Sequence, residues 1–137
     1  MKKFTIAALA SVAAFWAIPA SAGEIAVIVK TVNSTFWQNV QKGADAAAKE
    51  SGGKHTITFQ GPASEAAIAD EVNMVENAVN RKVEGIVLAP SDPDALAPAV
   101  KKAWEARIPV VLIDSQLAAG SEQYYQSFLA TDNKKAG

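Results

Sequence analysis

The sequence predicts an α/β fold, a doubly wound parallel sheet with helices on both faces. Three observations lead there. Strand-length apolar runs alternate with helix-length amphipathic runs in the order β-α-β-α-β-α-β. The runs Ile25–Val29, Gly85–Ala89 and Val110–Ile113 are near-continuously apolar, as strands buried on both faces are. The connections between runs are short and polar, and right-handed crossovers then fix most of the topology.

Ahead of the first strand, residues 1–22 read as a secretory signal peptide. Lys2 and Lys3 form a basic start, Phe4 to Ile18 is apolar apart from Thr5 and Ser11, and Ala20-Ser21-Ala22 is a small-residue cleavage signature. The apolar run is shorter than the ~20 residues of a spanning helix, and Pro19 interrupts it. Cleavage after Ala22 is expected, leaving 115 of the 137 residues, enough for one core. The chain has no cysteine, which excludes disulfides, thiolate catalysis and thiolate metal sites. It also removes the lipidated cysteine that would tether an exported protein, so free residence in the periplasm is expected. The formal charge is −1, and loss of the two leader lysines makes it −3. Such mild acidity gives no reason to expect nucleic-acid binding.

Strand one is Ile25–Val29, and a helix from about Thr35 to Ser51 follows with Phe36, Val40, Ala44 and Ala47 on one face. Ser51-Gly52-Gly53 ends it. Strand two is Thr56–Gln60. Gly61-Pro62 turns the chain, and Ser64 is the expected cap of a second helix from Glu65 to Arg81, with Ile68, Val72, Val75 and Val79 toward the sheet. Strand three is Gly85–Ala89. Ser91-Asp92-Pro93 then opens a helix running to about Arg107 that buries Leu96, Val100 and Ala103. Strand four is Val110–Ile113, and a weaker strand covers about Tyr125 to Ala130.

In an open parallel sheet all strands point their carboxyl ends to one edge, where ligands bind. That edge collects Lys30-Thr31, Gln60-Gly61, Pro90-Ser91-Asp92 and Asp114-Ser115-Gln116. Ser91 and Asp92 have a capping role available. Lys30 and Asp114 have none, so each needs a partner, either the other or a ligand. Phe36, in register with Val40, is expected to be partly structural, whereas Trp37 falls off that face and is expected near solvent at the binding edge. An aromatic side chain there can stack on the C–H face of a sugar while polar neighbours hold its hydroxyls.

With these residues in place, the chain resembles the periplasmic sugar-binding proteins of ribose and allose type, the soluble receptors of ABC importers. The resemblance rests on K-T-x-x-x-x-F-W at the first strand end, V-V-L-I-D-S-Q at the fourth and F-L-A-T-D-N near the end. It implies two similar α/β lobes around a cleft, with residues 23–130 as an incomplete N-terminal lobe and 131–137 crossing to a second lobe. The implied sugar-binding residues are Lys30, Ser34, Phe36, Trp37, Asp114 and Ser115, with Thr131, Asp132 and Asn133 at the hinge. Thr35 stands where allose-binding proteins have proline, and Ser115 stands where ribose binders carry arginine. An allose-like hexose or related monosaccharide and an inner-membrane ABC permease are the implied partners, with no cofactor, no metal and a monomeric state. Family members are roughly twice this length, so a truncated chain is expected.

Other function classes are less well supported. The chain has no G-x-S-x-G elbow and no G-x-G-x-x-G after strand one, so an enzyme is not expected. Ser51-Gly52-Gly53-Lys54-His55 lacks the spacing and strand-to-helix context of a phosphate loop. His55, the single histidine, lies at the amino-end edge and is expected to be solvated. A chemotaxis or signalling receptor of the same fold is the main alternative to transport.

Overall fold

The computed structural model describes residues 22–136, so all but the last residue of the expected signal peptide lies outside the described part. Five parallel strands form one sheet: β1 (Gly23–Ile28), β2 (His55–Gln60), β3 (Gly85–Leu88), β4 (Val110–Ile113) and β5 (Ser127–Leu129). Among the described residues the helices are α1 (Thr35–Glu50), α2 (Ile68–Asn80), α3 (Pro93–Glu105) and the short α4 (Asn133–Ala136), with a 3₁₀ turn at Glu122–Tyr124.

Strand order is β2-β1-β3-β4-β5. From β1 the chain steps outward to β2 and then returns past β1 to β3, so right-handed crossovers place α1 on one face and α2 and α3 on the other. The side chains obey this division. Ala26, Ile28, Ile86, Leu88, Val110 and Leu112 share one buried cluster with Val75, Ala78, Leu96, Val100 and Ala103 of α2 and α3. Val27, Val29 and Ala89 point the other way and pack with Trp37 of α1. Register is set by this alternation: Ile28 lies between Gln60 and Leu88, and Leu88 lies beside Leu112.

Both α2 and α3 end in the same way. Lys82 and Arg107 adopt left-handed φ values of 57° and 60°. The Lys82 N–H donates to Val79 O (3.0 Å) and the Val83 N–H to Ala78 O (3.3 Å); Arg107 and Ile108 repeat the pattern on Trp104 O and Ala103 O at 2.9 Å each. These are Schellman motifs, and in each the residue that closes the motif, Val83 or Ile108, is buried in the core with its contact partner Ala78 or Ala103. Helix α1 stops at glycines instead, Gly52 and Gly53, with φ of 66° and 81°.

Several expected boundaries move: β1 begins two residues early, at Gly23, and ends at Ile28, β2 begins at His55 and β3 ends at Leu88. Helix α2 begins at Ile68 and not at Glu65, because Ser64 closes a separate turn, accepting from the Ala67 N–H at 3.0 Å through its carbonyl and from the Ala66 N–H at 3.3 Å through Oγ. Strand β5 shrinks to the three residues Ser127–Leu129, those that pair with Val111–Ile113 of β4 at the sheet edge. Asp92 is the cap of α3, accepting from the Asp94 and Ala95 N–H groups at 3.0 and 2.8 Å.

Candidate functional site

The site forms where the carboxyl ends of β1, β3 and β4 meet the loops that follow them. Lys30 Nζ lies 2.7 Å from Asp114 Oδ2 and donates to Ser115 Oγ at 2.7 Å. The Ser115 hydroxyl donates in turn to Asp114 Oδ2 at 3.1 Å. Cation and anion therefore satisfy each other, one of the two outcomes the sequence leaves open. The pair is graded in burial, with 17% of the Lys30 side chain exposed and 40% of that of Asp114. The ammonium sits against the sheet end, and the carboxylate meets solvent.

Asp114 is held in an uncommon backbone conformation, with φ at 64°. The Ser115 N–H donates to Ile113 O at 2.7 Å, closing a three-residue turn around it, while the Asp114 N–H donates to Leu129 O at 3.0 Å. Aspartate tolerates this region better than most residues, yet the conformation costs about 1–3 kcal/mol. Pairing to β5 and the Lys30 network hold it there, with both side-chain bonds on Oδ2 and Oδ1 outside the network.

The two aromatics exchange the roles expected of them. Trp37 is 3% exposed and packs on Val27, Val29 and Ala89, whereas Phe36 is 58% exposed. Their rings meet edge to face, with centroids 4.8 Å apart and planes at 83°. The reason is phase. Trp37, Val40 and Ala44 also follow helical spacing, and the larger indole fills the gap over the β1 and β3 ends. The open aromatic face at the rim thus belongs to Phe36. Phe36, Trp37, Val40, Ile113, Asp114 and Thr131 line a shallow open cavity of about 330 Å³.

Ser34 is half-buried just before α1 and makes no side-chain capping bond. Thr131 and Asp132 are exposed at the end of β5, on the same rim. Asp132 Oδ1 accepts from the Lys134 and Lys135 N–H groups at 3.2 and 3.3 Å, capping α4, in which Asn133 is the first residue. His55 lies at the opposite, amino-end edge, its Nδ1 3.0 Å from Glu84 Oε2.

Three supports of the rim were not foreseen from the sequence. Thr31 is buried, and Thr31 Oγ1 and Asn33 Nδ2 both donate to Ala63 O, at 3.3 and 2.9 Å, tying the loop after β1 to the loop after β2. At Gly61 the loops approach so closely that a Cβ would lie 2.6 Å from Val29 O, so only glycine fits. Glu71 is fully buried, and its Oε2 accepts from the Ser91 N–H at 3.1 Å. Burial pushes the Glu71 carboxyl above its ordinary range, against the opposing pull of the Ser91 hydrogen bonds and Lys30.

The sequence profile described as the periplasmic binding protein domain matches residues 25–137. The chain belongs to that family. Among its relatives are the D-ribose/D-allose-binding protein of Pseudomonas aeruginosa, 31% identical over 114 residues, and the D-allose-binding periplasmic protein of Escherichia coli, 31% identical over 123 residues. These alignments cover 81% and 85% of this chain but only 36% and 38% of the relatives. Of solved structures, an ABC transporter solute binding protein from Agrobacterium vitis with bound D-fucose is 80% identical, with a TM-score of 0.80 over 83% of this chain and 39% of the other. A carbohydrate transporter solute binding protein from Agrobacterium radiobacter in complex with D-arabinose is 32% identical, with a TM-score of 0.75 over 85% and 37%. The chain thus spans about two fifths of the length of these periplasmic binding proteins, and its sheet is that of one of their lobes.

Proposed function

We propose that this chain supplies the N-terminal lobe of the substrate-binding component of an ABC-type sugar importer, binding a monosaccharide in a cleft between two lobes. The observation that carries this is the Lys30–Asp114–Ser115 network beside the open face of Phe36, all on one rim. A carboxylate and a hydroxyl suit sugar hydroxyls, the ammonium donates, and the phenyl ring suits the C–H face of a pyranose. Ser34 has an uncommitted hydroxyl for the same ligand, and Trp37 acts beneath Phe36 as its support. The bound D-fucose of the 80% identical Agrobacterium vitis protein favours a D-fucose-like hexose over the allose-like one expected from sequence.

The action is capture by hinge closure, with no bond made or broken, so no catalytic group is assigned. Residues 23–130 form the lobe, and Thr131, Asp132 and Asn133 begin the crossing to its partner lobe. Export to the periplasm through cleavage of residues 1–22, a monomeric state and delivery to an inner-membrane permease complete the assignment.

Calorimetric titration of the full-length protein with D-fucose, D-allose, D-ribose and D-arabinose tests it. D-fucose is expected to bind tightest, and Asp114→Ala or Phe36→Ala to weaken it by about 1–3 kcal/mol. Unchanged affinity in both variants would remove the site from this rim.

A further inference from the structure

At the amino-end edge of the sheet, opposite the sugar rim, three segments converge on one carboxylate. Gly23 opens β1 and lies beside His55, which opens β2, and the Gly23 N–H donates to Lys54 O at 3.3 Å. Glu84, just ahead of β3, is tied to β1 through its own N–H, which donates to Glu24 O at 2.8 Å. Its side chain folds back over Gly23: a Cβ added there would overlap Glu84 Oε2, so the carboxylate occupies the space that glycine leaves open. A Cβ stands about 2.5 Å from its own backbone nitrogen, which puts Oε2 within about 4 Å of the Gly23 nitrogen. The same Oε2 lies 3.0 Å from His55 Nδ1.

The Gly23 nitrogen is also the atom that cleavage after Ala22 exposes. Under a leader peptidase, water adds across the Ala22–Gly23 peptide bond, leaving a carboxylate on Ala22 and an ammonium on Gly23. In the uncleaved chain this nitrogen has one proton, already given to Lys54 O. The ammonium has three, so it keeps that bond and has donors left for Glu84. Gly23 is half-buried and 52% of the Glu84 side chain is exposed, which makes the pair a modest one. Other charged groups line the cavity at this corner. Glu24 is engaged by Arg81 at 2.9 Å and by Thr58 at 2.8 Å, which leaves Glu84 as the carboxylate for the new charge, with His55 sharing it and Lys54 and Lys82 opposing the ammonium.

We propose that leader removal creates an ion pair between the Gly23 ammonium and Glu84, clamping the starts of β1 and β2 to the approach to β3. The processed lobe is then more stable than one whose Gly23 nitrogen remains an amide. This role rests on cleavage after Ala22, which is part of the proposed function. Because the ammonium gains a partner in the folded state, its pKa rises above the ordinary α-amino value of about 8. The added stability is complete below that ordinary value, where Glu84 is still ionised, and is lost as pH rises through the raised one.

N-terminal sequencing of the full-length protein recovered from the periplasm tests the cleavage point, with Gly23 expected first. The pair is tested separately on full-length protein released from a fusion so that Gly23 comes first. NMR titration of its α-amino group is expected to give a pKa about half a pH unit higher than in the Glu84→Gln variant. At pH 6.5, Glu84→Gln should lower the melting temperature by about 2 °C when the ammonium is free, and by less than half as much when Gly23 alone is acetylated. A role of Glu84 confined to His55 gives equal losses in both forms. Equal α-amino pKa values in the two proteins, or equal losses with and without acetylation, would overturn the pair. A different first residue in the exported protein would instead overturn the cleavage point, and with it the role in maturation, whatever the titration gives.

Discussion

Adjacent residues Phe36 and Trp37 answer to different forces. Trp37 is buried over the strand ends, so Trp37→Ala opens a cavity and is expected to lower stability by about 3–5 kcal/mol. Phe36→Ala, at an exposed position, should change stability by under about 1 kcal/mol while weakening sugar binding. Urea denaturation of the two variants separates these outcomes; a larger loss from Phe36→Ala would reverse the assignment. At this scale the sequence was only partly legible. Lys30 and Asp114 stood out because a charge at a buried strand end has few ways to be satisfied. The aromatic pair was misassigned because neighbouring helical residues differ by about 100°, and Val40 and Ala44 are compatible with either phase. Glu71 was not singled out at all, since an acid in the first turn of a helix has a ready explanation in the helix dipole and solvent. Only the fold brings Ser91 over it.

Helix ends carry their own strain. Lys82 and Arg107 occupy left-handed conformations at exposed helix ends where glycine is the usual residue. Lys82→Gly and Arg107→Gly are each expected to raise stability by about 0.5–1 kcal/mol, the relief of backbone strain exceeding the added freedom of the unfolded chain. Thermal melts check this, and a fall in melting temperature for both would show that the side chains matter more than the backbone. The elements themselves follow closely from hydrophobic periodicity: β4 falls where the apolar run places it, and α3 starts at the Asp92-Pro93 signal. Boundaries slipped where a local turn competed, as at Ser64, whose turn closes on Ala67 immediately ahead of α2. Strand β5 was the least legible because it is a three-residue edge strand with two exposed positions, too short to show an apolar period.

At the scale of the whole molecule, the reversal of strand order at β1 and β3 leaves the two faces unequally covered. Helices α2 and α3 seal one face, while on the other, among the described residues, α1 alone lies across β1 and β2. An apolar groove bounded by Val40, Ala44, Ile57, Val87, Ile113 and Leu129 stays open beside it. The 137-residue chain by itself is therefore expected to bind an environment-sensitive hydrophobic dye and to melt without a sharp reversible transition. Absence of dye binding together with a cooperative melt would contradict this. The same architecture bears differently on the rim. Thr31 and Asn33 lock one loop to the next through Ala63, Gly61 brings their backbones into contact, and Asp114 is fixed in its turn by β5. The entropy of ordering these loops is lost when the lobe folds, so under the proposed assignment this wall is a finished mould before its ligand arrives, and differences in affinity would be set mainly by what closes over it.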